Sequence, residues 1–432
     1  MDLKNKRVTV IGLGNSGLNA ALLLRKVGAR VSATDSRDTP EVRRAAAALK
    51  EKGIDAETGG HTKDLIKGRD LIVISPGVED SSPAIIWANE LKVPVIGEME
   101  LGFNYCPGRI IAITGTNGKS TVTSLIGEIL KNAGFDTVVC GNIGNSLSGE
   151  IDKIKDGTWV VLEVSSFQLE RIVDFKPHIA LILNMEDDHR DRYRTLDEYF
   201  KEKLKIFSNQ DERDMLVLNY DSENLRDIGK AARSRVLFYS KRCENRSLLF
   251  DPSTLDMRLK GLHNLENVLA SVLVGILCGA RRGSIMKTVK EFEGLRHRFE
   301  TVGTIEGVEY VDDSKGTTVD STRRALESCK RPVILIAGGK DKNSDYSAVR
   351  AMVKDRVKSL VLIGEAKAKI RAALGGLVDT REAKDMAAAV RTARDIASYG
   401  DIVLLSPMCS SFDMFRDYKE RGDVFKEAVS QL

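Results

Sequence analysis

The stretch Thr114-Gly115-Thr116-Asn117-Gly118-Lys119-Ser120-Thr121 carries the residue types that hold nucleotide phosphates. The usual phosphate loop reads G-x-x-x-x-G-K-[ST]. Counted back from Gly118-Lys119-Ser120, its first glycine would fall at position 113, which is Ile113; the glycine comes two places later, at Gly115. The loop is shorter than usual, but the chemistry survives. Gly115 and Gly118 free the backbone, Lys119 is long enough to reach β- and γ-phosphates, and Ser120 or Thr121 offers a hydroxyl to Mg2+. An apolar run precedes the loop and a helical pattern follows it. That context puts a helix N-terminus behind the anion and sets the loop apart from an incidental Gly-Lys turn.

Other candidates stand at comparable places. Glu163 closes the run TWVVLEV, where a strand-end carboxylate is a natural Mg2+ ligand, although surface acids are common at such ends. His189, one of five histidines, lies in NMEDDHRDRY (184–193) after another strand-like run. A neutral imidazole ligates divalent metals, while most lone loop histidines hold nothing. Lysines 201, 203 and 205 alternate in KEKLKIF; they read as a solvated helix face, and spacing favours none of them. GLGNSG (12–17) follows the strand-like RVTVI and opens a helical pattern, and Asp35 closes the next strand 18 residues after Gly17. This is the G-x-G-x-x-G dinucleotide fingerprint in its expected setting, but its physics suits any nucleotide diphosphate. HNLEN (263–267), HRFE (297–300), DDSKGTT (312–318), GGKDK (338–342) and SPMCSSFDMF (406–415) are polar clusters at element boundaries, each weak alone.

The elements that must position these residues alternate β-rich apolar runs with longer helical patterns, the sign of parallel sheets covered by helices. At about 150 residues per domain, 432 residues suggest two to four domains. Three groups stand out. The first has strands at 7–11, 29–35 and 70–78 and a helix over 16–27. The second has strands at 109–115, 158–166, 178–185 and 215–222, with helices over 196–207 and 261–280. The third, from about residue 294, has strands at 308–314, 332–339, 359–364 and 401–407. Polar residues gather where strands end, the edge at which open α/β sheets bind ligands.

Composition narrows the partners. Lys+Arg 66 against Asp+Glu 62 leaves a net +4, too balanced to argue for nucleic acid or an anionic membrane surface. No apolar run reaches the roughly 18 residues of a membrane span, and the N-terminus enters a strand without a signal-peptide pattern. Six scattered cysteines without C-x-x-C indicate neither a zinc knuckle nor a disulfide scaffold; a reducing cytoplasm is the expected location.

Taken in order, TGTNGKST, LEVSSFQLE, LNMEDDH, HNLEN, GLRHRFE and DDSKGTT resemble the Mur ligases, ATP-dependent enzymes that build the peptide stem of peptidoglycan precursors. The resemblance covers nearly the whole chain and is specific in combination; the short loop is how this family writes its phosphate loop. Within the family, GLGNSGL, ATDSR, ISPGV, DDHRDRY and DMFRDYKERGDVF resemble the branch that adds D-glutamate. The resemblance implies an α/β fold of three domains: a Rossmann-like UDP-substrate domain (1–97), a central P-loop ATPase-type domain (98–297) and a Rossmann-like C-terminal domain for the amino acid (298–432). It implies that ATP phosphorylates the carboxylate of UDP-N-acetylmuramoyl-L-alanine and that the amine of D-glutamate attacks the acyl phosphate through a tetrahedral intermediate. A monomer whose C-terminal domain rotates between open and closed forms is expected.

Residue roles come from the same resemblance. Lys119 holds β/γ-phosphates within a loop of Gly115, Thr116, Asn117, Gly118, Ser120 and Thr121. Ser120 and Glu163 bind one Mg2+, and His189 with Glu163 a second. Lys203 matches the family's carbamylated lysine, which singles it out among the three. Asn267, Arg298, Asp313 and Lys315 meet the nucleotide. Asn15, Ser16, Asp35, Ser36 and Arg37, with Ser75, Pro76 and Gly77, hold the uridine diphosphate. Asn142, Ser165 and Gln168 line the muramoyl–alanine end. Thr317, Lys342, Ser411 and Phe412 hold D-glutamate. The chain departs from the family at Asp312, where Asn is common, and at Gly316, where Ala is common. The alternatives are the L-alanine-adding ligase of the same family and, in another class, an NAD-dependent oxidoreductase. The oxidoreductase leaves the phosphate loop, Glu163 and His189 unexplained. A switch GTPase would need conventional loop spacing and an N-K-x-D motif. A non-enzymatic binding module would not need so much phosphate chemistry.

Overall fold

Near-continuous apolar runs build three sheets, as expected for strands buried on both faces. A computed structural model describes residues 1–186, 193, 195–242, 255–259, 262–342 and 344–432. The first sheet contains β1 (Arg7–Ile11), β2 (Arg30–Asp35), β3 (Asp55–Thr58), β4 (Leu71–Ile74) and β5 (Val95–Gly97), all parallel in the order β3-β2-β1-β4-β5. The order reverses at β1, between β2 and β4, and a crevice opens at such a switch point. The second sheet contains β6 (Arg109–Thr114), β7 (Thr137–Gly141), β8 (Trp159–Glu163), β9 (Ile179–Ile182), β10 (Met215–Asn219) and β11 (Arg235–Tyr239), parallel in the order β11-β10-β9-β6-β8-β7. The third contains β12 (Glu300–Ile305), β13 (Val308–Asp312), β14 (Val333–Gly338), β15 (Val357–Ile363), β16 (Asp379–Glu382) and β17 (Ile402–Leu405), in the order β12-β13-β17-β14-β15-β16. Only its β12–β13 pair is antiparallel.

The described residues divide into two compact units. One comprises Met1–Met185, Asp197–Leu255 and Val268–Thr288 and holds the first two sheets; the other comprises Glu186–Leu196, Asp256–Asn267 and Val289–Leu432 and holds the third. Within the first unit, polar bonds tie the two sheets together. Both Glu98 and Glu100, on the helix Glu98–Tyr105, are buried. Glu98 Oε1 accepts from Ser148 N at 2.8 Å. The Glu100 carboxylate accepts from the backbone N–H groups of Val173, Asp174 and Phe175 at 2.9, 2.9 and 3.1 Å. Asn145 Oδ1 accepts from Asn15 and Asn19 on the first helix, Asn15–Lys26. No helix among the described residues is long and apolar enough to cross a membrane.

The expected helices appear as Asn15–Lys26, Leu196–Leu204 with a 3-10 turn at Lys205–Phe207, and Leu262–Leu277. The expected strands all form, but β3, β5, β7, β11, β12 and β16 were not anticipated; all lie at sheet edges, some of them short or with little apolar signal. β16, for example, is the charged sequence DTRE at a sheet edge.

Candidate active site

At the switch point of the first sheet, β1 runs into Gly12 and the helix Asn15–Lys26 starts behind Gly14. Gly17 permits the close packing that a fingerprint glycine provides: a Cβ there would lie 1.7 Å from the Gly12 carbonyl oxygen. Ser75 Oγ donates to that same carbonyl at 2.9 Å. The result is a cleft of about 520 Å³ lined by Asn15, Ser16, Asp35, Ser36, Arg37, Ser75, Pro76, Gly77 and Asn142, all anticipated from sequence. His61, Glu79 and Ser82 also line it and were not anticipated.

Asp35 has internal partners. Its Oδ2 accepts from Leu13 N at 2.7 Å and from Arg37 Nη2 at 2.9 Å, and its Oδ1 accepts from Arg37 N at 2.9 Å. Burial would raise this carboxyl, but Arg37 and the two backbone amides outweigh it and hold it below the usual carboxylate range. Asp35 therefore shapes the glycine loop and presents the exposed Arg37 guanidinium at the cleft. Thr34 Oγ1 donates to Gly60 O at 3.0 Å and lies 2.9 Å from His61 Nδ1. A hydroxyl has one proton, so His61 Nδ1–H donates to Thr34 and Nε2 remains an acceptor. Burial lowers the His61 pKa, which favours this neutral form.

The phosphate loop joins β6 to the helix Lys119–Asn132, with Gly118 at φ +83° in the left-handed region as N-cap. Lys119 Nζ donates to Gly115 O and Thr116 O, both at 2.8 Å. Ser120 and Thr121 are buried in the first helical turn. One loop residue was missed by sequence reasoning. Asn184, just past β9, accepts from Thr116 N at 3.0 Å and Asn117 N at 2.8 Å through Oδ1, and donates from Nδ2 to Asn117 O at 3.1 Å. Because β9 pairs with β6, a residue 67 positions away holds the loop. An Asn immediately after a buried strand was the available signal.

Glu163 ends β8, beside β6, and is 2% exposed. Its Oε1 accepts from Asn142 Nδ2 at 2.8 Å, while Oε2 is buried without a hydrogen-bond partner among the described residues. An orphaned carboxylate oxygen at this depth suits a cation. Lys203 is 1% exposed, donates to Gly115 O at 2.9 Å and lies 4.4 Å from the centre of the Tyr199 ring. Lys201 is exposed and Lys205 half-buried, so the three lysines do not form one solvated face. His189 lies outside the described residues. Ser165 and Gln168 form a capping box on the turn Ser166–Leu169; Ser165 Oγ accepts from Gln168 N, and Gln168 Oε1 accepts from Ser165 N at 2.9 Å. Gln168 borders a second, much smaller pocket with Glu98 and Arg171.

In the second unit, the loops after the adjacent strands β13, β17 and β14 carry Asp313, Lys315, Thr317, Lys342, Ser411 and Phe412, while Arg298 precedes β12 and Asn267 lies on a helix. Arg298 sits between His297 (φ +66°) and Phe299 (φ +48°), both left-handed. Asp313 accepts from Phe299 N at 3.2 Å and Ser406 Oγ at 2.8 Å. Protein surrounds its carboxyl, and that burial pushes it up to about 7 despite the opposing pull of Ser406 and Arg298. Lys315 Nζ lies 3.8 Å from the Tyr418 ring centre, and Thr317 N donates to Lys315 O. The loop of Lys342 is joined to that of Ser411 through Lys340 N, which donates to Ser410 O at 2.9 Å. Ser411 is buried and Phe412 exposed. Asn267 donates to Asn264 Oδ1 at 3.3 Å, both buried on the helix Leu262–Leu277.

Known proteins share these domains and this fold. Residues 6–97 match the Mur ligase MurD-like N-terminal domain, 113–275 the Mur ligase middle domain, and 297–409 the Mur ligase glutamate ligase domain. The UDP-N-acetylmuramoylalanine–D-glutamate ligase of Koribacter versatilis is 44% identical over 448 residues, covering 100% of this chain and 99% of that protein. The ligase of the same name from Acidobacterium capsulatum is 42% identical over 447 residues, covering 99% and 97%. Among solved structures, the UDP-N-acetylmuramate–alanine ligase of Thermotoga maritima has the same fold, with a TM-score of 0.63 at 19% identity and 99% of each chain covered. MurF from Acinetobacter baumannii has a TM-score of 0.62 at 14% identity, covering 98% of this chain and 93% of that one. With all three domain models matched in order and full-length relatives above 40% identity, this chain belongs to the Mur ligase family.

Proposed function

We propose that this chain joins D-glutamate to UDP-N-acetylmuramoyl-L-alanine, using ATP. The alanyl carboxylate takes the γ-phosphoryl group to form an acyl phosphate and ADP, and the D-glutamate amine then attacks the carbonyl and expels phosphate. The names of the similar ligases support the substrates, and the domain models support the class. The observation that carries the reading is Asn142. It lines the glycine-loop cleft and also donates to Glu163, beside the phosphate loop. The far end of a ligand anchored in the cleft therefore meets the phosphoryl-transfer chemistry.

In this reading Asn15, Ser16 and Arg37 bind the diphosphate and uridine, and Asn142 directs the alanyl carboxylate. Lys119 leaves the Gly115 and Thr116 carbonyls for the β/γ-phosphates. Asn267, Arg298, Asp313 and Lys315 hold the nucleotide, and Thr317, Lys342, Ser411 and Phe412 hold the amino acid. Ser120 and the bare Oε2 of Glu163 would hold Mg2+, with His189 serving a second ion; the metal would neutralise phosphate charge. Carbamylation of the buried Lys203 would turn a cation beside Gly115 into an anion suited to that site. The central domain spans 98–297 between a UDP-substrate domain (1–97) and an amino-acid domain (298–432), and the enzyme works in the cytoplasm.

The test is phosphate release with ATP, Mg2+ and UDP-N-acetylmuramoyl-L-alanine, offering D-glutamate, L-glutamate or no amino acid, beside a well with UDP-N-acetylmuramate and L-alanine. D-Glutamate-dependent release is expected. Release confined to the last well would place the protein one step earlier and overturn the reading.

A further inference from the structure

Arg421 is the largest fully buried side chain among the described residues, with 0% of its surface exposed. It lies on the helix Tyr418–Ser430, which the Asp417 side chain caps by accepting from Lys419 N and Glu420 N. Its guanidinium makes no direct ion pair with a carboxylate among the described residues. Instead it donates to four neutral acceptors on two loops. Nε reaches Ser314 Oγ at 3.0 Å and Nη2 reaches Ser314 O at 2.7 Å; Nη1 reaches Cys409 O at 3.1 Å and Ser410 O at 3.2 Å. A buried cation held directly by neutral acceptors alone is costly, and burial lowers this guanidinium's pKa to about 10 against the opposing pull of Cys409, Asp413, Asp312 and Asp313. An apolar side chain would serve packing alone at less expense. Only a planar fork with several fixed donors spans both loops at once.

What those loops carry gives the cost a purpose. Ser314 lies between Asp313 and Lys315, and Cys409–Ser410 leads directly into Ser411 and Phe412. The neighbouring residues enforce the same junction. Ser314 Oγ donates onward to Tyr418 O at 2.7 Å, and Ser410 O also accepts from Lys340 N. Gly339 leaves room for the guanidinium: a Cβ there would lie 3.2 Å from Arg421 Nη1.

We infer that Arg421 is a positioning residue that locks the loop carrying Asp313 and Lys315 to the loop carrying Ser411 and Phe412. This rests on the proposed ligase reading, which gives the first loop to the nucleotide and the second to the amino acid. Arg421 touches neither ligand. It makes the two binding loops one rigid piece, so that loosening it degrades both together.

The test is Arg421→Lys in the full chain, which keeps the charge but replaces the fork, with Nε and Nη2 on Ser314 and Nη1 on Cys409 and Ser410, by a single nitrogen that cannot reproduce both sets of bonds. Assayed at least 15 °C below its own melting midpoint, it should show KM for ATP and KM for D-glutamate both raised about tenfold, the scale of losing a charge-assisted bond. Unchanged KM values beside a lowered melting point would make Arg421 purely structural and overturn the inference; so would a rise in only one KM. Ser314→Ala removes a single acceptor from the same guanidinium and covers the case in which Arg421→Lys fails to fold. It should raise both KM values severalfold, and an effect on ATP alone would overturn the coupling. Wild-type protein that releases no phosphate with D-glutamate would refute the ligase reading itself, a result read separately from any variant-to-wild-type ratio.

Discussion

Replacing Asn184 with alanine tests how the phosphate loop is shaped. The change removes three hydrogen bonds, from Thr116 N, from Asn117 N and to Asn117 O. The backbone oxygen of residue 184 still accepts from Thr116 N at 3.1 Å, so the loop loses shape without coming free. At about 1 kcal/mol net per bond, and with water replacing part of the loss at a half-buried site, about 2 kcal/mol of preorganisation disappears. That corresponds to roughly 30-fold weaker nucleotide binding at 1.4 kcal/mol per decade. Asn184→Asp separates shape from charge. It keeps both amide acceptors but loses the donor to Asn117 O and sets a negative charge under the phosphates, so it should bind worse than Asn184→Ala. Calorimetric titration with Mg·ADP measures both, with thermal melting as a check on folding. If Asn184→Ala binds within twofold of wild type, or Asn184→Asp binds better than wild type, the loop does not depend on this side chain as argued.

Two further expectations concern carboxylates at the site. Glu163→Gln keeps the acceptor for Asn142 and the side-chain shape but replaces the orphaned oxygen with an amide. Phosphate release should fall at least about 100-fold, the scale of losing one charge-stabilising group at a reacting centre, while the melting temperature stays within a few degrees; comparable activity would remove Glu163 from the metal site. Asp313, pushed up from 3.8 to about 7 by burial, binds more protons folded than unfolded between those values. Its contribution to stability is therefore present at acid pH and lost as pH rises from about 4 to about 7. Relative to Asp313→Asn, the wild type should lose melting temperature across that window and then level off; a flat difference would show that the group is not perturbed.

How much of this was legible in the sequence follows from how far each signal reaches along the chain. Apolar runs marked the central strands, and the glycine patterns at 12–17 and 115–118 marked both strand-to-helix turns, because these depend on neighbouring residues. The cleft residues Asn15, Arg37 and Ser75 came from the family resemblance, and the structure does set all three around one cleft. Arg421 and Lys203 look like solvent-facing positions on polar helices, and only long-range packing buries them. Asn184 acquires its role from the pairing of β9 with β6. Ser165 and Gln168 show the opposite case: a purely local capping box engages side chains that family resemblance assigns to substrate.

The bonds from Glu98 and Glu100 that join the first two sheets have a consequence for molecular length. With the glycine-loop cleft and the phosphate loop in one unit, the span between them is set by the fold rather than by the ligand. A fixed span is a ruler. One amino-acid residue adds roughly 3.3–3.6 Å to an extended chain. On the proposed placement of the substrate, a nucleotide sugar lacking its alanine would end short of Glu163 by that distance, and one already bearing the next residue would overshoot. The enzyme would thus count residues on its substrate without contacting each one, and its own product would not return for a second round.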